Sequence, residues 1–444
     1  VYQGIGRGLG VDVVAAVNAV ATGGIAPAVV VDGATVALSA AANNGSTFAG
    51  WGGACSGAGS CSVKMTSDAA VTARFDASPK PVDDCAGLVP PSPGAPSQFK
   101  WEKQDLGNMG GSCFPAETDG TGHLAVSWQN GYQPHDSRFT FVDPAGTQVG
   151  SFRGVGLLLI GQASGFMGGE CAGGMCSQDY VVLDPEGHLL YRGPGGSTTG
   201  NNKQANDPTG GMIHERNAPD DGSGNITMLL DAIDAGGAVR WTRALPELFG
   251  RYDRKDLIIG ADRKGNVLAL WQSDRRYGDG TWAGQWFDPS GAPGPVFQAV
   301  GSGGAYLPWK LFERAESGLF VSGFQGWLGQ FDAQATSMSP PPPWLASRPN
   351  TTLHMVHGGN GYAVLPTPGS SAACEQVVEV ISPSGKVCGS STFAVGGGYC
   401  TTSSIIVGYD GTVVQQLPRE REAPCKAADH ECDCTYRFWS GYFR

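Results

Sequence analysis

The chain is poor in charge. Only 16% of its 444 residues are Asp, Glu, Lys or Arg, and they leave a net charge of −11. No basic run exceeds the pair Arg275-Arg276. Phosphate-backbone binding needs clustered Lys and Arg, so nucleic acid is not an expected partner. No apolar run reaches the length of about eighteen residues that a membrane span needs. The run Val11 to Val20 is too short and carries Asp12 and Asn18. Catalytic signatures are missing as well. There is no Gly-x-Ser-x-Gly elbow, no phosphate-binding loop and no His-Glu-x-x-His helix. A carboxylate pair for glycoside chemistry could be drawn from many Asp and Glu residues, and nothing in the sequence selects one. The start Val1-Tyr2-Gln3 has neither an initiator Met nor a signal peptide, so the chain is expected to begin after processing.

Glycine and proline are abundant, at 69 and 29 residues. Without a collagen period or a long low-complexity tract, that excess means many turns between short strands, hence an all-β fold. The cysteines number 12. Cys55 and Cys61, Cys171 and Cys176, and Cys374 and Cys388 form close pairs. Cys425, Cys432 and Cys434 crowd the C-terminus, with Cys400 upstream, and Cys85 and Cys113 flank a Pro-rich segment. Structural zinc asks for two close pairs of the Cys-x-x-Cys kind, which are absent. Cys425, Cys432 and Cys434 with His430 and Asp433 have zinc-ligand types, yet in an oxidising compartment they read as disulfide staples. The expectation is a disulfide framework whose full connectivity the sequence leaves open.

Three segments follow one another: 1–79, a Pro-rich linker at 80–98 that is extended and semi-rigid, and 99–444. In the first, Thr35 to Ala40 alternates like a strand. Gly45-Ser46-Thr47-Phe48-Ala49-Gly50-Trp51-Gly52-Gly53-Ala54-Cys55 follows, then Gly59-Ser60-Cys61-Ser62-Val63, then Val71-Thr72-Ala73-Arg74-Phe75. This phrase closely resembles the divergent internalin-type B repeat of bacterial secreted proteins, over about residues 11 to 76. The resemblance implies a small β module used as a surface spacer, without catalysis. It also implies a disulfide closing the loop from Cys55 to Cys61.

Two signals recur in the third segment. One is a strand entered from a Gly turn, as in Gly122 to Gln129 and Gly265 to Gln272. The other is a strand, an Asp-Pro-x-Gly-like turn and a second strand, as at Asp143-Pro144-Ala145-Gly146, Asp184-Pro185-Glu186-Gly187 and Asp288-Pro289-Ser290-Gly291. Ile381-Ser382-Pro383-Ser384-Gly385 is a looser copy. Pro presets φ at the second turn position, Asp caps the turn and Gly closes it. A period of about 49 residues matches one four-stranded propeller blade, and the segment holds about seven of them. Blades are expected near 117–150, 151–197, 210–247, 255–301, 305–346, 352–396 and 402–444, with Phe99 to Lys103 joining the last blade to close the ring. A pair of β-sandwiches is the alternative.

Candidate sites come from loops. The longest spans 193–225 and holds His214, Glu215 and Arg216; the alternative there is a solvated connection or a strand of alternating exposure. Asp220 to Asn225 offers oxygens to Ca²⁺ but only part of a calcium loop, and a plain turn is the preferred reading. Arg275, Tyr277, Asp279 and Trp282 combine aromatic rings, a cation and a carboxylate, a mixture suited to sugar or peptide; the alternative is a hairpin whose rings pack on a neighbouring blade. His354 and His357 are three apart on a strand and point to opposite faces, so they cannot share a metal. No cofactor or metal is expected.

These features point to a secreted or outer-surface bacterial protein that recognises a glycan or a surface protein on a loop-bearing face of the ring. Two alternatives stand beside it: a secreted hydrolase or lyase with its site on the propeller axis, and a structural subunit that self-associates into a filament or coat.

Overall fold

The computed structural model describes residues 5–7, 28–30, 33–38, 40, 46–67, 69–77, 84–101, 111–130, 136–155, 158–172, 177–193, 204–218, 225–250, 257–272, 282–300, 308–323, 326–356, 359–366, 375–394, 404–417 and 434–443. Two compact units divide the chain, Val1–Asp83 and Asp84–Arg444. Among the described residues no helix is long and apolar enough to cross a membrane.

The first unit is a small β module. Thr35–Leu38 pairs antiparallel with Cys61–Lys64, and Ser46–Gly53 pairs antiparallel with Val71–Ala77. Alternating Val36, Cys61, Val63, Met65 and Val71 turn one face inward, with Trp51 packed against them. Cys55 and Cys61 are disulfide-bonded, and the Trp51 indole donates to the Gly59 carbonyl at 2.8 Å across the same loop.

The second unit is a seven-bladed β-propeller. Each blade is an antiparallel meander running outward from a first, innermost strand. Those first strands are Gly111–Thr118, Leu158–Gly161, Gln204–Asn206, Leu257–Ala261, Pro308–Glu313, Thr351–Val356 and Ser404–Val407 for blades 1 to 7. The seventh blade is completed by the N-terminal strand Ser97–Trp101, which pairs with Cys434–Trp439 as its outermost strand. The ring is therefore closed by both ends of this unit, and it leaves no open seam of unpaired strand edges. Blade 5 has three strands; an isolated bridge from Gln330 to Ser339 stands where a fourth would begin. Pro340 to Pro343 follow at once, and proline has no N–H to extend a ladder.

Seven separate apolar layers hold the ring, one between each pair of neighbouring blades. Blade 4 shows how the sequence writes this. Its second strand, Val267–Gln272, is buried throughout. Leu268 and Leu270 face blade 5 with Trp282, Trp286, Leu311 and Phe331. Val267, Ala269 and Trp271 face blade 3 with Ile213, Leu230 and Trp241. A strand sandwiched on both faces reads as a continuous hydrophobic run.

The Asp-Pro-x-Gly phrases are the third-to-fourth-strand turns. At Asp143 the side-chain carboxylate accepts from the backbone N–H of Ala145 at 2.9 Å and of Thr147 at 2.8 Å, while Gly146 N–H bonds back to the Asp143 carbonyl. The same pattern recurs at Asp234 and Asp288. The first-to-second-strand turns use a related device that also reaches across blades. Asp119 accepts from Gly165 N–H of blade 2 at 2.7 Å, Gln162 from Gly211 N–H of blade 3 at 2.8 Å, and Asp262 from Gly318 N–H of blade 5 at 3.0 Å. Thr118 donates to Asp410 at 2.8 Å and carries the girdle from blade 7 to blade 1.

The segment expected as a linker is only partly one. From Asp84 onward it belongs to the propeller unit. Cys85 is disulfide-bonded to Cys388, 303 residues away in sequence, on the outermost strand of blade 6. Leu88 is buried in the layer between blades 6 and 7. The Trp439 indole donates to the Gly94 carbonyl at 2.8 Å, and the Tyr442 hydroxyl donates to the Pro91 carbonyl. This corrects the expected pairing of Cys374 with Cys388, because Cys85 occupies the Cys388 sulfur. Cys374, Cys176, Cys400, Cys425 and Cys432 lie outside the described residues.

Candidate functional site

Strands of a meander alternate in direction, so the two ends of the ring differ. One end carries the tight turns just described, each closed by its own hydrogen bonds. The strand ends flanking 131–135, 194–203, 273–281, 301–307, 367–374, 395–403 and 418–433 belong to the other end. Connections of that length concentrate on one face, and loops set on a rigid scaffold commonly carry recognition.

The sequence-expected site residues separate into two groups. Arg275, Tyr277 and Asp279 lie outside the described residues, as do the calcium-loop candidates Asp220 and Asp221. Trp282 is 2% exposed and sits in the layer between blades 4 and 5. This corrects its expected ligand-facing role: its ring is core. His214, Glu215 and Arg216 correct the expectation of a single long loop. They lie on Met212–Asn217, the second strand of blade 3, and Gln204–Asn206 is a further strand within 193–225.

On that blade a polar row crosses four strands. Gln204, His214, Asp231 and Thr242 are successive cross-strand partners. Thr242 donates to Asp231 at 2.6 Å, and Arg216 donates to the same carboxylate. Gln204 accepts from Gly169 N–H of blade 2 at 2.8 Å. The His214 imidazole is fully buried, 6.1 Å from the Tyr180 ring, and among the described residues neither ring nitrogen has a hydrogen-bond partner. Burial pushes its pKa down to about 4, with Asp231 opposing and Arg216 reinforcing the shift. Arg216 and Asp231 neutralise one another, so the row reads as a fixed inter-blade contact rather than an open site.

The axis is different. Glu117 ends the first strand of blade 1, Lys310 and Glu313 lie on that of blade 5, His354 on that of blade 6, and Tyr409 follows that of blade 7. Blades 1 and 5 are not neighbours, yet Lys310 acts electrostatically on Glu117. Desolvation pushes the Glu117 carboxyl up to about 7, with Lys310 pulling it partway back, on a residue that is itself exposed. Burial likewise raises Glu313 to about 7, against Arg263 and with help from Asp207 and Asp262. His354 is pushed down to about 4 by burial and by Lys310, while the Gly408 backbone and Asp410 oppose that shift. Tyr409 is raised by burial and then by Glu313. It stands 37% exposed at the turn end of the axis, where a Cβ on Gly161 of blade 2 would lie 3.2 Å from its own Cβ. Of these residues, scattered over blades 1, 5, 6 and 7, the sequence drew attention only to His354, and only as a metal candidate that was set aside. Each is a single polar residue on or just after a short strand.

Asp184, Glu186 and His188 also gather ligand atoms within 4.8 Å of one another. They sit on an outer turn, and Asp184 is already engaged by His188, both at its backbone N–H and at its ring.

Comparison with known proteins adds the following. No curated protein matches the chain. Among solved structures, prolyl oligopeptidase B from Galerina marginata is similar over 69% of this chain and 46% of its own, with 8% identity and a TM-score of 0.41. An acylaminoacyl peptidase from Pyrococcus horikoshii is similar over 72% and 51%, with 7% identity and a TM-score of 0.41. The β-propeller domain of the Trilobed protease from Pyrococcus furiosus is similar over 69% and 91%, with 7% identity and a TM-score of 0.39. This chain spans about half the length of the two peptidases. Residues 9–79 match the divergent InlB B-repeat domain family, and a seven-bladed β-propeller follows that repeat.

Proposed function

We propose that the protein works outside a bacterial cell as a binding protein, with the B-repeat module as a spacer and the propeller as the recognition unit. The ligand is a glycan or a surface protein, met on the face that carries the long connections. The observation behind this reading is the asymmetry of the ring: one end is made of short, internally hydrogen-bonded turns, and the long polar connections all belong to the other. A disulfide-pinned propeller suits an oxidising exterior. The test is a glycan array and a surface-protein pull-down with the full chain, repeated with a Arg275→Ala, Tyr277→Ala, Asp279→Ala variant. A ligand whose binding drops by about tenfold or more in the variant supports the reading. No ligand, or one indifferent to the variant, sinks it.

A second reading, hydrolysis on the axis, is favoured by one observation: Glu117 and Glu313 both hold their protons near neutrality. Release of new reducing ends from polysaccharide by the wild type and not by Glu117→Gln would support it.

A further inference from the structure

The third-to-fourth-strand turn of blade 2 differs from its equivalents in what it carries, not in how it is closed. Its backbone bonds are the common ones. Asp184 N–H donates to the His188 carbonyl and Gly187 N–H to the Asp184 carbonyl, each at 3.0 Å, and the Asp184 carboxylate accepts from His188 N–H at 2.7 Å. The third and fifth turn positions are Ala145 and Thr147 in blade 1, Gly236 and Ala238 in blade 3, and Ser290 and Ala292 in blade 4. In blade 2 they are Glu186 and His188. Closing the turn therefore requires neither an acid nor an imidazole at these places.

Three ligand atoms converge on this turn. One oxygen each from Asp184 and Glu186 and one ring nitrogen of His188 lie within 4.8 Å of one another. Asp184 Oδ2 and His188 Nδ1 stand 2.9 Å apart. Two ligands each about 2.1 Å from one zinc ion are about 3.0 Å apart at a right angle and about 3.4 Å apart at the tetrahedral angle, so one ion can bridge this pair. The Glu186 carboxylate makes no hydrogen bond or ion pair among the described residues, and its side-chain torsions are free to close the remaining gap. The backbone beneath is fixed against blade 1. A Cβ on Gly150 would fall 1.9 Å from the Glu186 carbonyl oxygen, and one on Gly187 would fall 2.1 Å from the Phe141 ring. Binding then has only side chains to order. The His188 side chain is 74% exposed, which leaves the other coordination positions to water.

The donor set selects the ion. Calcium takes six to eight oxygens, whereas an imidazole nitrogen beside two carboxylates suits zinc. The two carboxylates balance the charge of a divalent ion. As Nδ1 turns its lone pair to the metal, the ring proton moves to Nε2, and the hydrogen bond given up to Asp184 is an exposed one.

We propose that the Asp184, Glu186 and His188 turn of blade 2 is a zinc-binding site, with both carboxylates and the imidazole as ligands and water completing the coordination. It lies at the turn end of the ring, opposite the long connections, and does not rest on the recognition proposed for that face.

The experiment is calorimetric titration of the full chain, first stripped with a chelator, with zinc chloride and separately with calcium chloride at about pH 7.5. One variant combines Glu186→Ser with His188→Ala. It gives blade 2 the third and fifth residues of the blade 4 turn and keeps Asp184, so the turn keeps its hydrogen bonds. The second variant is His188→Ala alone. The wild type should bind zinc at least about tenfold tighter than calcium. Both variants should lose zinc affinity by about tenfold or more, and His188→Ala should leave calcium binding unchanged. Zinc should raise the thermal unfolding midpoint of the wild type and not that of the double variant. Absence of zinc binding, zinc binding that both variants retain, or calcium bound as tightly as zinc would each overturn the proposal.

Discussion

Gly187, in the third-to-fourth-strand turn of blade 2, lies against the ring of Phe141 in blade 1, so closely that a Cβ on it would fall 2.1 Å from the ring edge. The relationship repeats around the propeller. Gly237 meets Tyr191 of blade 2, Gly291 meets Trp241 of blade 3, and Gly385 meets Trp344 after blade 5. Each turn glycine is a seat for an aromatic ring of the preceding structural layer. Gly187 also has φ of +84°, where an L side chain is strained. Gly187→Ala should therefore destabilise by about 3 kcal/mol or more, combining overpacking with backbone strain. Denaturant unfolding checks it, and a loss under about 1 kcal/mol would mean the ring yields freely.

The girdle of turn carboxylates makes a contrast. Asp262 accepts from Lys264, Asn266 and the Gly318 N–H of the next blade, and is fully buried. Asp288 is engaged only within its own hairpin. Asp262→Ala strands buried donors in two blades and should cost about 3 kcal/mol or more, whereas Asp288→Ala, in an exposed turn, should cost clearly less. Equal losses in unfolding titrations would refute the inter-blade role.

The Cys85–Cys388 bridge fixes the strap from Asp84 to Pro96 to blades 6 and 7. Cys388→Ser should admit protease within that strap before the blades are cut, and lower stability by about 2–5 kcal/mol. Intact resistance of the variant to limited proteolysis would show that Leu88 and the Trp439 and Tyr442 hydrogen bonds suffice alone.

Protonation acts in opposite senses at two places. His214 has a depressed folded pKa, so its stabilising neutrality is present above about 6.5 and is lost as pH falls toward about 4. Glu313 has a raised folded pKa, so its contribution is present below about 4.5 and is lost as pH rises through about 7. His214→Gln should remove acid sensitivity worth on the order of 3 kcal/mol. Glu313→Gln should flatten the fall in stability between about pH 5 and about pH 7. Melting curves over that range test both signs.

The ring was legible because its turn chemistry is local: Asp, Pro and Gly at fixed offsets carry the whole mechanism. Strand Phe99 to Lys103 was legible as a closing strand for the same reason, by its alternation after a Pro-rich stretch. The cores were legible where both faces of a strand are apolar, as at Val267–Gln272. Trp282 misled because a ring next to Arg and Asp in a loop phrase can equally turn into the layer between blades, and one residue of register decides which. His214 misled because Gly and Pro on either side of it hid two short strands. Of the axial residues only His354 drew notice, and for a metal rather than for its place on an inner strand. Glu117 and Lys310 lie in blades 1 and 5, far apart in the chain, and no local pattern connects them.

That closure has a consequence for how the protein is made. The strand Ser97–Trp101 leaves the ribosome before all the blades, and its partner Cys434–Trp439 only after six of them and the first two strands of the seventh. Between those moments six blades can condense side by side, but the seventh is a half-built sheet with an unmatched edge waiting for its tail. The propeller is thus an open arc for as long as the strands between those two are being made. Biogenesis itself therefore keeps the ring unfinished until Cys434–Trp439 has been made and meets the strand laid down before the blades.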